Sequence, residues 1–292
     1  MNSLQSLGIT VHSADSCSRV SKATLPIRAL SVVTYNNEGG DDIPVISDSS
    51  VNSDRHTNLF ELGIYTRKKT IVFDGIHSTW NLHHVEKAYL HGYFVNEIIW
   101  QRLRPEDIFA SLRRLDIVRC TSLTNVSWIL HLPLLQDLLI FSCSRLHQII
   151  ATVQGGVIET KTSNEKNESP SIRNTFPRLK RMTLIEADRL ASICSPTIAF
   201  PSLECLQISV CPLLKKLPFL TIPSKLKCIR GENEWWDDLD WQDKDLESSL
   251  EFYFHGFSTE DQLSEMYLFN SLQVEWASIH EDLDECCWGN RR

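Results

Sequence analysis

Ten histidines and nine cysteines are the residues of this 292-residue chain whose types could ligate a metal or attack a substrate. His77, His83, His84 and His91 lie near one another, the densest run of imidazoles in the sequence. A zinc site asks for short, fixed ligand spacings such as H-x-x-x-H or paired C-x-x-C. Neither occurs, so these histidines read as surface residues. Cys286 and Cys287 are adjacent, but no nucleophile, base and orienting carboxylate stand out together as a catalytic set. A phosphate-cradling G-x-x-x-x-G-K-[ST] loop is also missing, and the dipeptide Gly-Lys never occurs. The expectation is a binding protein and not an enzyme, with no catalytic residues, no cofactor and no metal.

The elements that would position a binding surface are written in a repeat. In FPSLECLQISVCPLLKKLP (200–218), Leu203, Leu206, Ile208, Cys211, Leu214 and Leu217 fall at offsets 0, 3, 5, 8, 11 and 14. Leu206 and Ile208 are two apart and share one face of a strand. Cys211, Leu214 and Leu217 then recur every three residues, as in a 3-10-like return. Such a unit cannot bury its own apolar edge and needs copies on both sides.

The copies are present. Leu112, Leu115, Ile117, Cys120, Leu123 and Val126 keep the same offsets. So do Leu135, Leu138, Ile140, Cys143, Leu146 and Ile149, and Leu179, Met182, Leu184, Ala187, Leu190 and Ile193. A partial copy starts at Leu226. First positions are spaced by 23, 44, 24 and 23 residues, the 44 being one repeat plus an insertion. Toward the N-terminus the strand part survives in Leu4, Leu7 and Ile9; Ile27, Leu30 and Val32; Leu59, Leu62 and Ile64; and Val85, Ala88 and Leu90. The period predicts an α/β solenoid: a leucine-rich-repeat horseshoe with a parallel β-sheet on the concave face and irregular or 3-10 returns on the convex face.

Within each strand the leucines point inward, so the alternate positions face the concave side. Read repeat by repeat, that face presents Lys87, Tyr89 and His91; Arg114, Asp116 and Val118; Asp137, Leu139 and Phe141; Arg181, Thr183 and Ile185; and Cys205, Gln207 and Ser209. These residues, Cys205 and Ser209 apart, are the predicted partner-binding set. Arg114, Asp137 and Arg181 stack as an alternating charge ladder, which cross-strand pairing favours. Val118, Phe141 and Ile185 stack as an apolar stripe, expected to be exposed and to mark a partner site. The alternative is that the insertion at 152–175 covers it.

Composition agrees with a continuous core: 42% of residues are hydrophobic, and no run of 18 apolar residues indicates a membrane span. The start, MNSLQSLGITVHS, lacks a basic region followed by a long apolar one and so does not read as a secretory signal. The formal charge of −8 is unevenly spread: residues 232–251 carry nine acidic side chains against Lys244, and 252–292 carry eight against Arg291 and Arg292. Residues 1–231 are therefore net basic. Their cations are scattered, and no nucleic-acid recognition motif appears. Segments 36–58 and 152–175 are polar and aperiodic, as flexible insertions are. The expected organisation is a solenoid over 1–231, an acidic tryptophan-rich C-terminal cap over 232–256 and a poorly ordered acidic tail over 257–292. Cys120, Cys143 and Cys211 share one repeat position. Adjacent strands could bring Cys120 near Cys143, but without a secretory signal they read as reduced and structural.

Repeats that close C-x-x-L-x-x-L-P, as Cys211, Leu214, Leu217 and Pro218 do, resemble the leucine-rich repeats of plant disease-resistance proteins. The stretch LKCIRGENEWWDDLDWQDKD (226–245) is similar to the end of that region in the coiled-coil nucleotide-binding leucine-rich-repeat (NLR) receptors. The likeness covers most of 1–35 and 82–256, and weakly 36–81. It implies a cytoplasmic protein-recognition module in plant defence. Implied partners are a pathogen-derived protein, a guarded host protein, or a nucleotide-binding domain supplied by another chain. Neither the coiled coil nor the ATP-binding domain of those receptors is read in this sequence, so nucleotide-driven signalling is not part of what the resemblance is expected to carry over. The chain opens inside a repeat, and its uncapped first strand predicts self-association. The alternative is a substrate-recognition leucine-rich-repeat protein of a ubiquitin ligase, which asks for an adaptor-binding helical module ahead of the repeats.

Overall fold

A computed structural model describes residues 60–67, 69–74, 82–101, 104–151, 176–195, 198–241 and 243–257, with the backbone of Leu7–Val11, Ile27–Thr34 and Val45–Ser47. In chain order the strands are β1 (Leu7–Val11), β2 (Ile27–Thr34), β3 (Val45–Ser47), β4 (Glu61–Thr66), β5 (Thr70–Asp74), β6 (Lys87–His91) and β7 (Glu97–Gln101). After them come β8 (Arg114–Val118), β9 (Asp137–Phe141), β10 (Arg181–Ile185), β11 (Cys205–Ser209), β12 (Cys228–Glu232) and β13 (Phe254–Phe257). Among the described residues the short helices are α1 (Pro105–Ile108), α2 (Asn233–Asp237) and α3 (Lys244–Glu251).

Ten strands form one parallel sheet in the order β1-β2-β4-β6-β8-β9-β10-β11-β12-β13. Each strand follows its neighbour in sequence except where β3, β5 and β7 intervene, the order a solenoid requires. The chain is the predicted leucine-rich-repeat solenoid. Equivalent template positions pair in register: Leu115 with Leu138, Leu138 with Met182, Met182 with Leu206, and Leu206 with Ile229. Leu123, Leu146, Leu190 and Leu214 of the returns are buried in the same continuous core, and the half-buried Leu217 packs against it. Fully burying one such side chain contributes about 1.5–3 kcal/mol, and each repeat supplies several.

The weaker N-terminal copies also stand where the template puts them. Leu30 pairs with Leu62 and Leu62 with Ala88, while Val32 pairs with Ile64 and Ile64 with Leu90. The first copy needs a correction. Its template sets Leu7 opposite Leu30 and Ile9 opposite Val32, whereas Ile9 pairs with Leu30 and Val11 with Val32. A slip of two residues preserves the alternation of the strand, so hydrophobic pattern alone does not forbid it.

The returns are irregular or 3-10, as at Leu82–His84 and Ser127–His131. In the N-terminal half, however, they include a second parallel sheet of order β3-β5-β7. Ile71 and Phe73 of β5 enter the main core, and Phe73 stacks on Trp100 of β7 with ring centroids 4.6 Å apart. A phenylalanine three residues before the first template leucine adds a further buried layer, seen in Phe109, Phe176 and Phe200; Phe176 and Phe200 stack at 5.4 Å. Within 36–58 the backbone of Val45–Ser47 is strand β3. The rest of that segment, 152–175 and the tail from 258 lie outside the described residues.

One backbone device recurs at every well-formed repeat. Arg119, Ser142, Glu186 and Val210, each just past its strand, adopt left-handed conformations with φ of 51–54°. That twist turns their N–H groups toward the next strand. Arg119 N–H donates to the Phe141 carbonyl at 2.8 Å, Ser142 to Ile185 at 2.9 Å and Glu186 to Ser209 at 3.0 Å. Val210 N–H donates instead to the Glu232 carboxylate at 2.8 Å. One residue later, the thiols of Cys120, Cys143 and Cys211 donate to backbone carbonyls and are fully buried. They are free thiols, and burial pushes that of Cys211 up to about 12.

Candidate protein-recognition surface

Parallel in-register strands turn the concave positions into three rows. Glu61, Lys87, Arg114, Asp137, Arg181, Cys205 and Cys228 form the first. Its charges are paired across strands: Lys87 Nζ lies 2.6 Å from Glu61 Oε1, and Arg181 Nε donates to Asp137 Oδ1 at 2.5 Å. Arg114 departs from the simple ladder. It turns along its own strand and grips Asp116 with Nε and Nη2, at 2.9–3.1 Å.

The middle row runs Gly63, Tyr89, Asp116, Leu139, Thr183, Gln207 and Arg230. Asp116 is buried, and that burial raises its pKa above the usual carboxylate value despite the Arg114 hydrogen bonds. Thr183 and Gln207 are half-buried. Beside Tyr89 stands Tyr65, whose phenol is pushed up to about 12 by burial; the two rings lie 5.4 Å apart. His91 meets Tyr65 edge-on at 5.8 Å and lies tilted against Tyr93 at 5.5 Å. An aromatic cluster therefore occupies the part of the face formed by β4 and β6.

The third row corrects the sequence reading. Val118, Phe141 and Ile185 are not exposed: they retain 0%, 3% and 2% of their accessible surface. With Leu139, and Tyr89 packed against them, they make a small apolar cluster separate from the main core. Strands about 4.8 Å apart bring branched and aromatic side chains into mutual cover, which a one-strand exposure argument omits. The free surface is thus carried by the charged first row, with Lys87, Arg114 and Arg181 exposed, and by the half-buried Tyr89, His91, Thr183 and Gln207. Sequence reasoning missed Glu61, Tyr65, Arg230 and Cys228, although extending the template one repeat in each direction reaches all four.

No group of three or more metal-ligating side chains comes together among the described residues, and none of their helices is long and apolar enough to cross a membrane.

A family model described as plant disease resistance protein RPS2-like, leucine-rich repeats, matches residues 84–229, half of the chain and the whole run from β6 to the start of β12. The chain belongs to this family. Among similar proteins of Arabidopsis thaliana, a probable disease resistance protein is 31% identical over 150 residues, 50% of this chain and 20% of its own length. The disease resistance protein UNI is 30% identical over 158 residues, 52% of this chain and 16% of its own. The disease resistance protein RPS5 is 28% identical over 141 residues, 47% and 14% respectively. The chain therefore spans a fifth or less of these relatives, within the repeat region that carries the surface just described.

Proposed function

We propose that this plant disease-resistance repeat region is a non-enzymatic protein-recognition module that works in the cytoplasm. It takes its partner on the concave face. The partner is a pathogen-derived or host protein, or a nucleotide-binding domain in trans. The observation that carries this reading is the continuous first row, in which Lys87, Arg114 and Arg181 stand exposed on successive in-register strands with Asp137 between them. Charges fixed at the strand spacing favour a protein surface of matching pattern, because complementarity sets specificity and encounter rate. The aromatic cluster formed by Tyr65, Tyr89 and His91 adds rigid contact area beside it, of the kind that anchors interfaces.

A photo-reactive amino acid placed at Thr183 or Gln207 tests the proposal. In extract of challenged plant tissue it is expected to form a defined adduct with a protein. The same group at Arg145, exposed in a return and off the sheet, is expected to give none. Adducts that are equal at all three positions would contradict the assignment of the face.

A further inference from the structure

Cys205 and Cys228 occupy the same template position in successive repeats, two residues after Leu203 and Leu226. They are register partners on β11 and β12, so both project from the concave side. Their Sγ atoms lie 2.6 Å apart. This sets them apart from Cys120, Cys143 and Cys211, which are sealed in the returns with their thiols bonded to backbone carbonyls. Cys205 and Cys228 are only partly buried and carry free thiols. Parallel neighbours at about 4.8 Å fall inside the Cα separation that a disulfide spans, about 4.4–6.8 Å, so closure asks for little backbone movement.

We infer that Cys205 and Cys228 are an oxidative modification site, a dithiol on the recognition face that peroxide closes to a disulfide. In the first step one thiol attacks hydrogen peroxide. An S–O bond forms as the O–O bond breaks, leaving a sulfenic acid and one water. The second sulfur then attacks the sulfenic sulfur, the S–S bond forms, and the hydroxyl leaves as a second water. Sulfur is oxidised, peroxide is reduced, and both thiol protons end in water. Burial pushes the Cys205 thiol up to about 12, although Arg230 and Arg181 pull the other way, so the first step is slow and the pair answers sustained oxidant. The product staples the last two core repeats across the row that holds Arg181, the register partner of Cys205.

The test uses the full chain, reduced, freed of reductant and exposed to hydrogen peroxide. Digestion under non-reducing conditions, read by mass spectrometry, is expected to give one cross-linked peptide pair joining Cys205 to Cys228, lighter by two hydrogens. The melting temperature should rise by about 5 °C and fall back on reduction. Cys228→Ser is expected to abolish the cross-link and the shift, and Cys194→Ser to leave both. Absence of the cross-link at every dose, its formation between other cysteines, or a shift that survives in Cys228→Ser would overturn the inference. A measurement on the unmutated protein guards against a misfolded variant. Phenylarsine oxide, which bridges two neighbouring thiols, should protect Cys205 and Cys228 from alkylation together, and alkylation of either one in its presence would count against the pair.

Discussion

Leu138 and Phe141 stand three residues apart on β9 and are both buried, on opposite faces of the sheet: Leu138 in the main core, Phe141 in the small concave cluster with Val118 and Ile185. Each face of this strand therefore contributes to stability. Leu138→Ala should cost about 2–5 kcal/mol through the cavity it leaves. Phe141→Arg, which an exposed stripe would tolerate, should cost about 3 kcal/mol or more by placing a charge among buried apolar side chains. Chemical denaturation of both variants checks this, and a Phe141→Arg midpoint within error of the parent would restore the exposed stripe.

This pair also marks how far the sequence could be read. Offsets of 3, 5, 8, 11 and 14 located the inward residues of every repeat from β8 to β11, because each inward position has one environment regardless of its neighbours. Outward positions have no such rule. Whether Phe141 faces water depends on what Val118 and Ile185 do on strands distant in sequence. The same holds for Glu232, which reads as the start of an acidic segment yet is buried, accepting hydrogen bonds from Ser209 Oγ at 2.9 Å and Val210 N–H. The slip of β1 was invisible for a simpler reason: two registers that differ by two residues have the same polarity pattern.

Asp116 gives a pH signature. Burial raises its folded pKa above the reference value of 3.8, while Arg114, Lys87 and Asp137 are the charged groups that also act on it. Below the reference value it is protonated in folded and unfolded chains alike, and no penalty arises. As pH rises through the folded pKa, the unfolded chain loses the proton more readily, and the folded state loses stability relative to it. The parent protein should therefore weaken against Asp116→Asn as pH increases from about 4 toward neutrality. Urea midpoints of the two proteins across that range decide it, and a parent that gains on the variant would contradict the sign.

Val210 holds a left-handed φ of 52° with a β-branched side chain. That conformation costs an ordinary residue about 1–2 kcal/mol, and glycine avoids it at an unfolded-state cost of about 0.5–1 kcal/mol. Val210→Gly should be stabilising by roughly 0.5 kcal/mol, visible as a small rise in melting temperature. A clear loss of stability would show that side-chain packing outweighs backbone strain here.

Trp236 stacks on Phe254 at 4.1 Å and meets Trp241 at 5.0 Å, joining α2 to the last strand. Trp236→Ala should cost about 3–5 kcal/mol. In a solenoid each repeat contacts only its neighbours, so hydrogen-exchange protection should fall in β12 and β13 while β8 and β9 keep theirs. A uniform loss along the sheet would contradict that locality.

The most direct test of the recognition face is quantitative binding with its charges reversed. Lys87→Glu and Arg181→Glu change side chains that are 57% and 68% exposed in the first row, and Arg145→Glu changes one in a return. Arg145→Glu should melt like the parent, because exposed substitutions shift stability by only about 0.5 kcal/mol. The first-row reversals lose the Glu61 and Asp137 ion pairs and set like charges opposite, so they should melt slightly below it, each by about 1 kcal/mol, and stay folded. Against a partner identified by the photo-adduct at Thr183 or Gln207, the account predicts that each first-row reversal weakens affinity at least about tenfold, a change of about 1.4 kcal/mol, while Arg145→Glu leaves it unchanged. Equal affinity of the first-row variants and the parent would contradict it.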